Sequence, residues 1–480
     1  MIESSMKDRV EHIHFIGVGG SGMCGIAEVL HNLGYTVSGS DQVNSSSTQH
    51  LQALGVRVYP NHRKENVENA EVVVVSSAIH SDNPELLAAM ESSIPVIPRA
   101  LMLAELMRFK RGIAVAGTHG KTTTTSLLAT ILDAAGLDPT YVIGGRLNSL
   151  AANAKLGKGD YIVVEADESD ASFLYLTPIF SIITNIDEDH MQTYGFSYEK
   201  LYQAFIEFLG RMPFYGVAFL CLESEHVRHI LPEIKKPYRT YGFTNEADIW
   251  ASDVKGVGST MEFIVHIKEG RFSKRTFPAR LNFPGRHSVL NALGAIGVAL
   301  ECGAKVQAIQ QGLEKFSGVG RRFQNYGKVF LPHRRGHALL FDDYGHHPVE
   351  LHTTIEAARL AYPNRRLVLV FQPHRYTRTR DLFEDFIKEL KTADLLILTE
   401  VYAAGEKRID NADSRALARS LRLQNMDSKL IYEADLTKLA PLVLEQAREG
   451  DLILTMGAGN ISRVPSELLA LAKEKQRALS

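Results

Sequence analysis

Ala114-Val-Ala-Gly-Thr-His-Gly-Lys-Thr-Thr-Thr-Thr125 decides how this chain is read. The apolar run from Gly112 to Ala116 predicts a short strand. Gly117 and Gly120 predict a turn, and Thr122 to Ala135 predicts a helix. Glycines let consecutive N–H groups face one concavity, and the helix N-terminus adds partial positive charge. From there Lys121 reaches terminal phosphates as a point charge, and the Thr122 hydroxyl is placed to meet Mg²⁺. This is a triphosphate cradle. Val115 stands where the usual P-loop pattern has its first glycine, so the loop belongs to a narrower class than nucleotide-binding proteins at large.

On either side of this cradle strands and helices alternate. Before it lie strands near Ile13–Val18, Thr36–Ser40, Glu71–Ser76 and Pro95–Pro98, with helices between them. After it come strands at Asp160–Val164 and Phe180–Asn185, a helix at Tyr198–Met212, strand–turn segments from Ile249 to Phe283, and helices at Arg286–Cys302 and Val306–Phe316. A third series follows, with strands at Ala338–Asp342, Arg366–Phe371, Asp394–Leu398 and Asp451–Thr455. Such alternation predicts α/β architecture with parallel sheets. A length of 480 residues suits about three domains at ~150 residues each. The boundaries are expected near residues 110 and 325.

With 45% hydrophobic and 22% charged residues, the composition is that of a globular protein with several cores. The formal net charge of −2 argues against an extended nucleic-acid surface. No segment approaches the ~20 apolar residues that span a bilayer. The three cysteines, Cys24, Cys221 and Cys302, are far apart and form no metal-binding spacing. They point to a reducing cytoplasm.

Other segments carry chemistry of their own. Gly17-Val-Gly-Gly-Ser-Gly22 satisfies the GxGxxG pattern between a strand and a helix, and Asp41 closes the next strand. That turn can hold any diphosphate, a dinucleotide included. Asp160-Tyr-Ile-Val-Val-Glu-Ala-Asp-Glu-Ser-Asp170 puts acids at a strand's C-terminal tip, where Glu165 is the preferred Mg²⁺ ligand. Surface solvation accounts for others of these acids, Asp167 or Asp170. Asp187-Glu-Asp-His-Met191 reaches the same edge. Imidazole usually suits softer metals, so His190 is read either as a ligand or phosphate contact, or as a structural histidine. Asn291 could read a base or ribose edge, and Arg321 or Arg322 could neutralise phosphate. Phe341-Asp-Asp-Tyr-Gly-His-His-Pro348 and Gln372-Pro-His-Arg-Tyr-Thr-Arg-Thr-Arg380 each follow a buried strand. The guanidinium forks of Arg375 and Arg378 are suited to an anion, with a solvated basic loop as the alternative.

Together these stretches resemble the Mur ligase family, the ATP-dependent enzymes that add amino acids to the peptidoglycan precursor. The markers run the length of the chain: HFIGVGGSGM at 14–23, SGSD at 38–41, SSAI at 76–79, GTHGKTTTT at 117–125, EADESDASF at 165–173, TNIDEDHM at 184–191, DDYGHHP at 342–348, FQPHRYTRTRDL at 371–382 and EVYAAGE at 400–406. The resemblance is nearest to the alanine-adding branch. It implies a Rossmann-like N-terminal domain over 1–110 for the UDP-sugar and a central P-loop ATPase-type mononucleotide-binding domain over 111–324. A Rossmann-like C-terminal domain for the amino acid follows over 325–480.

By the same resemblance Gly117, Thr118, His119, Gly120, Lys121, Thr122 and Thr123 hold the ATP phosphates, with Asn291, Arg322 and Asp343 as further nucleotide contacts. Thr122 and Glu165 are implied at one Mg²⁺ and His190 at a second, which favours the ligand reading of that histidine. Lys121, Glu165 and His190 are the expected catalytic set. Gly19, Gly20, Ser21, Gly22, Asp41, Ser76 and Ser77 are implied at the UDP-sugar. Tyr344, His346, Arg375 and Arg378 are implied on the acceptor side, Arg378 facing the alanine carboxylate.

The implied substrates are UDP-N-acetylmuramate, L-alanine and ATP, handled by a monomer or homodimer without nucleic acid or membrane partners. Two departures stand out. Ser288 replaces the first asparagine of the family's His-Asn-x-x-Asn helix motif. Gln203 to Glu207 contains no lysine where several relatives carry a carbamylated one, as the alanine-adding branch leads one to expect.

Overall fold

A computed structural model describes residues 6–76, 78–147, 152–268, 275–332, 336–426 and 429–479. Three sheets order the chain. The first contains β1 (His12–Ile16), β2 (Thr36–Ser40), β3 (Arg57–Tyr59), β4 (Val72–Val75) and β5 (Val96–Pro98) in the order β3-β2-β1-β4-β5, every neighbour parallel. Its helices are α1 (Ser21–Asn32), α2 (Ser46–Ala53), α3 (Pro84–Glu91) and α4 (Arg99–Met107). The parallel order follows from the βα alternation, since parallel neighbours need a crossover.

The second sheet has ten strands: β6 (Arg111–Ala116), β7 (Thr140–Leu147), β8 (Ala152–Lys155), β9 (Tyr161–Glu165), β10 (Phe180–Ile183), β11 (Val217–Cys221), β12 (Tyr238–Gly242), β13 (Ile249–Val257), β14 (Thr260–Ile267) and β15 (Arg275–Leu281). Their order is β15-β14-β13-β12-β11-β10-β6-β9-β7-β8. Strand β6 sits between β10 and β9, parallel to both. Strand order reverses on either side of it, and in open α/β sheets ligands gather at the carboxyl ends beside such a position. Helices α5 (Lys121–Ala134), α6 (Tyr198–Gly210), α7 (Glu225–Ile230), α8 (Arg286–Glu301) and α9 (Val306–Lys315) accompany it.

The third sheet is β16 (Gln324–Leu331), β17 (Gly336–Asp343), β18 (Leu367–Phe371), β19 (Leu395–Leu398), β20 (Leu430–Tyr432) and β21 (Leu452–Met456), in the order β16-β17-β21-β18-β19-β20. Only its β16 edge is antiparallel among the described pairs. Its helices are α10 (Pro348–Ala361), α11 (Tyr376–Asp381), α12 (Phe383–Leu390), α13 (Ser414–Leu421), α14 (Leu439–Gln446) and α15 (Val464–Leu479).

Two compact units result. One comprises Met1–Val254, Glu262–Asn282 and Ser288–Ser317, and the other Lys255–Met261, Phe283–His287 and Gly318–Ser480. Within the first, one apolar core runs from Ile13, Phe15 and Leu30 through Met102 and Leu106 to Val142, Ile162, Phe173 and Phe205. Helix α1 packs on β7 and β8. A Cβ at Gly25 would lie 3.2 Å from both Ala154 Cβ and Val142 Cγ1, so this position of α1 must stay small. The third sheet has its own core around Val329, Leu340, Val368, Val370, Ile453 and Leu468.

The ends of the predicted elements shift by a few residues. Strands β3, β7, β8, β11, β12, β16 and β20 have no counterpart in the sequence expectation. The helix of the cradle begins at Lys121, one residue earlier than expected.

Candidate active site

Strand β6 is apolar and fully buried beyond its first residue, and it delivers the chain to Gly117 at φ +127°. A side chain there would overlap the Thr184 hydroxyl, so the turn requires glycine. The loop is pinned from β10's end. Asn185 Oδ1 accepts from His119 N at 2.8 Å, and Asn185 Nδ2 and Thr184 Oγ1 donate to His119 O at 3.0 and 2.6 Å. Gly120 then turns left-handed at φ +84° and opens α5 with no side-chain cap on the first turn. The orphan N–H groups of Lys121, Thr122 and Thr123 are therefore available to an anion. Asn291 of α8 lies over this entrance, its Oδ1 only 2.7 Å from where a Gly120 Cβ would stand.

Lys121 is engaged. Its Nζ donates to Glu168 Oε2 at 2.7 Å and Oε1 at 3.0 Å, and to Gly117 O at 2.6 Å. Burial opposes the ammonium charge, but Glu168, Asp167 and Glu165 together hold its pKa above the ordinary lysine value. Glu168 is itself buried. The sequence reading assigned it no role, although it belongs to the quoted acidic run.

One residue on, Thr122 Oγ1 donates to Glu165 Oε2 at 3.2 Å, and Glu165 Oε1 accepts from Gly144 N at 2.7 Å. A hydroxyl and a carboxylate meeting at the mouth of a phosphate cradle form a hard-oxygen donor pair, which fits Mg²⁺. Asp167, expected among the solvated acids, is half-exposed and lies 3.8 Å from Arg99. Asp170 caps its own turn through Ser172 N.

His190 sits beyond β10 in left-handed backbone at φ +55°, with Nε2 3.5 Å from Asp189 Oδ2. His119 Nε2 lies 3.2 Å from Asp187 Oδ2 on the same loop.

In the first sheet, Gly19 N donates to Asp41 Oδ2 at 2.9 Å and Val43 N to Asp41 Oδ1 at 2.9 Å. Asp41 thus braces the glycine turn with both oxygens. Gly20 caps α1, which begins at Ser21, and a Cβ at Gly22 would approach the Arg99 guanidinium at 3.1 Å. Ser76 lies beside Gly17. Ser77 falls outside the described residues.

The second unit assembles the remaining candidates. Asp343 ends β17 buried, accepting from Phe323 N and Gly345 N at 2.7 Å each. Burial pushes its carboxyl up to about 6, against the pull of the Arg322 charge. The guanidiniums of Arg321 and Arg322 stand 5.2 and 5.1 Å from the Tyr344 ring centre. Arg322 Nη1 donates to Glu350 Oε1 at 3.3 Å, while His346 N donates to Glu350 Oε2 at 2.9 Å.

The His346 ring meets His374 at 5.2 Å between centres, and His374 stacks on Tyr402 at 5.6 Å. Arg378 is buried and points Nη1 at His374 Nδ1, 3.4 Å away. Arg375 takes φ +70° to open α11, its Nε buried and without a hydrogen-bond partner. The two arginines are thus packed side chains and not a solvated loop. Glu350, His374 and Tyr402 are organising residues the sequence reading passed over. His374 and Tyr402 lie inside quoted motifs, and Glu350 is the fourth member of a His347-to-Glu350 capping box.

Family comparison accords with this arrangement. Residues 12–111 match the Mur ligase family, catalytic domain, residues 115–299 the Mur ligase middle domain, and residues 321–459 the Mur ligase, glutamate ligase domain. The chain belongs to the Mur ligase family. Over 469 residues it is 64% identical to a UDP-N-acetylmuramate–L-alanine ligase of Neisseria meningitidis, covering 98% of this chain and all of that one. It is 59% identical over 467 residues to the enzyme of the same name from Chromobacterium violaceum, covering 97% and 100%. Among solved structures, UDP-N-acetylmuramate-alanine ligase MurC from Thermotoga maritima superposes with a TM-score of 0.81 at 27% identity, covering 96% of this chain and 99% of that one. No helix among the described residues is long and apolar enough to cross a membrane.

Proposed function

We propose that this chain joins L-alanine to the lactyl carboxylate of UDP-N-acetylmuramate, converting ATP to ADP and phosphate. This would be the first amino-acid addition in peptidoglycan precursor synthesis, carried out in the cytoplasm. The observation that carries the reading is the Lys121–Thr122–Glu165 cradle, set in a chain that shares 64% identity end to end with a ligase of that name.

A free carboxylate is a poor electrophile. Its oxygen attacks the γ-phosphorus, the bond to the bridging oxygen breaks, and ADP leaves. The alanine amine, having given up its ammonium proton, attacks the acyl phosphate carbonyl. Orthophosphate departs with one of the original carboxylate oxygens, and the amine sheds its second proton as the amide forms. Both steps crowd negative charge, so positioning and electrostatics dominate. Gly117 to Thr123 hold the phosphates, Lys121 screens the γ-phosphoryl group, and Asn291, Arg322 and Asp343 contact the nucleotide. Thr122 and Glu165 would hold one Mg²⁺ and His190 a second. When bound, these ions neutralise charge on the phosphate oxygens.

Residues 1–110 take the UDP-sugar through Gly19 to Gly22, Asp41, Ser76 and Ser77. Tyr344, His346, Arg375 and Arg378, in residues 325–480, orient the amino acid. Holding the three substrates together removes roughly 7–11 kcal/mol of barrier.

Incubation with UDP-N-acetylmuramate, ATP, Mg²⁺ and single amino acids, followed by mass spectrometry, tests the acceptor. With the lactyl carboxylate labelled with heavy oxygen, label should appear in released orthophosphate. Its absence there would contradict the acyl phosphate. Preference for a whole tripeptide over alanine would move the chain to the sibling ligase that recycles peptide.

A further inference from the structure

Arg99 opens α4, with Pro98 as the N-cap, and its side chain reaches the first turn of α1. A Cβ built at Gly22 would stand 3.1 Å from Arg99 Nη1 and 3.3 Å from its Cδ. The side chain therefore lies along the turn assigned to the UDP-sugar. Its other edge faces the nucleotide loops, with Nη2 3.8 Å from Asp167 Oδ2. Asp167 adjoins Glu168, the buried partner of Lys121. Burial opposes the charge on Asp167, yet Lys121, Ser169 and Arg99 hold its carboxyl below the ordinary aspartate value. One guanidinium thus spans from the glycine turn to the edge of the phosphate cradle, all within the first compact unit.

The position of Arg99 is fixed, but its donors are idle. Ala100, Met102, Leu103 and Leu106 bury one side of α4, which packs on α1 and on the turn at Ser172–Tyr175. The Arg99 side chain is 23% exposed, and among the described residues it makes no side-chain hydrogen bond. A separation of 3.8 Å is too long for one. So loose a pair, with an acid that is itself 40% exposed, is easily exchanged. Five N–H donors are left for a planar anion, and Asp167 shows the kind that suits them, a carboxylate.

We propose that Arg99 orients the lactyl carboxylate of the sugar substrate for attack on the γ-phosphorus, taking it in exchange for Asp167. This rests on the ligase reading above and adds a residue which that reading leaves out. With the diphosphate at the Gly19–Gly22 turn, the sugar must extend its acid towards the γ-phosphoryl group beside Lys121. Arg99 stands between the two. Among the residues assigned above, the carboxylate has no cationic side chain of its own: Lys121 serves the triphosphate and Arg378 the amino acid. A guanidinium fork binds both carboxylate oxygens and so fixes the plane of the nucleophile, while each oxygen keeps a lone pair for the attack. It also offsets the repulsion between carboxylate and triphosphate.

Equilibrium binding of two sugar nucleotides to the full-length protein tests this, with Mg²⁺ and a non-hydrolysable ATP analogue present. UDP-N-acetylglucosamine lacks the lactyl arm and otherwise matches UDP-N-acetylmuramate, so a residue that meets the arm distinguishes them. Arg99→Ala is expected to weaken UDP-N-acetylmuramate at least tenfold and to leave UDP-N-acetylglucosamine unchanged. Equal weakening of both would place Arg99 at the diphosphate and overturn the proposal, as would no change in either. Should the alanine variant fail to fold, Arg99→Lys decides, because it keeps the charge and loses the fork. A several-fold loss confined to the muramate form supports the role, and no loss removes it. Turnover separates this role from the ligase reading. If wild type ligates alanine while the variants bind both sugars as wild type does, only the role of Arg99 falls. If wild type makes no alanyl product, both fall.

Discussion

The ammonium of Lys121 lies within 3.0 Å of both carboxylate oxygens of Glu168, a buried partner drawn from the loop that follows β9. A triphosphate that recruits Lys121 must displace this pairing. Glu168→Gln removes the competing charge while keeping shape. We expect the Michaelis constant for ATP to fall several-fold in this variant, measured by phosphate release at saturating alanine. A rise would assign Glu168 to nucleotide binding instead.

Lys121→Ala removes the only side-chain ammonium of the cradle turn and leaves Glu168 buried without its counter-charge. Alanine-dependent phosphate release should be lost, while UDP-N-acetylmuramate still binds in equilibrium dialysis. Near-normal turnover would contradict the assignment of the cradle.

Arg378→Lys keeps charge but not the guanidinium fork. The Michaelis constant for L-alanine is expected to rise at least tenfold with that for ATP nearly unchanged, as steady-state kinetics with each substrate varied would reveal.

Asp343 gives a pH signature with a definite sign. Its folded pKa of about 6 lies above the ordinary aspartate value, because burial disfavours the charge. Between about pH 4 and 6 the folded chain holds this proton and the unfolded chain does not. Stability from this group is therefore greatest at the acid end and is lost as pH rises through 6. That rise is worth ~3 kcal/mol. Denaturant melts of wild type and Asp343→Asn at pH 4.5 and 7.5 should show the wild type losing stability relative to the variant as pH rises.

Cys24, Cys221 and Cys302 are buried free thiols, pushed by burial to about 12, 11 and 12. Thiolate is the reactive form. A chromogenic disulfide reagent should label none of them in the native chain and all three in denaturant.

What the sequence made legible follows from where the physics is local. The cradle was readable because Gly117, Gly120, Lys121 and Thr122 act through backbone geometry set by immediate neighbours. Thr122 and Glu165 were each read as Mg²⁺ ligands at an element's end, and the family resemblance placed them at one ion; in the structure a hydrogen bond joins them. Other features depend on distant segments. Glu168 and Lys121 are 47 residues apart, and nothing in the acidic run distinguishes a carboxylate turned inward from a solvated one. Asp41 matched a ribose-binding spacing, yet its bonds to Gly19 and Val43 come from the fold of the turn. Strands β3 and β20 are three residues each, too short for a periodic signal. Strand β7 carries Gly144-Gly145, which reads as a break. Val217 to Cys221 is a continuous apolar run that a helix core could equally contain.

The small footprint of Gly25 against Val142 and Ala154 has an engineering consequence. Since α1 completes the packing of a hairpin from the next sheet, the first hundred residues are not a detachable module. Exchanging them for those of a distant relative would leave mismatched surfaces on both pieces unless β7 and β8 travelled with them. Gly25→Leu should loosen the first sheet and the β7–β8 pair at once, because the added side chain has no room between α1 and Val142 and Ala154.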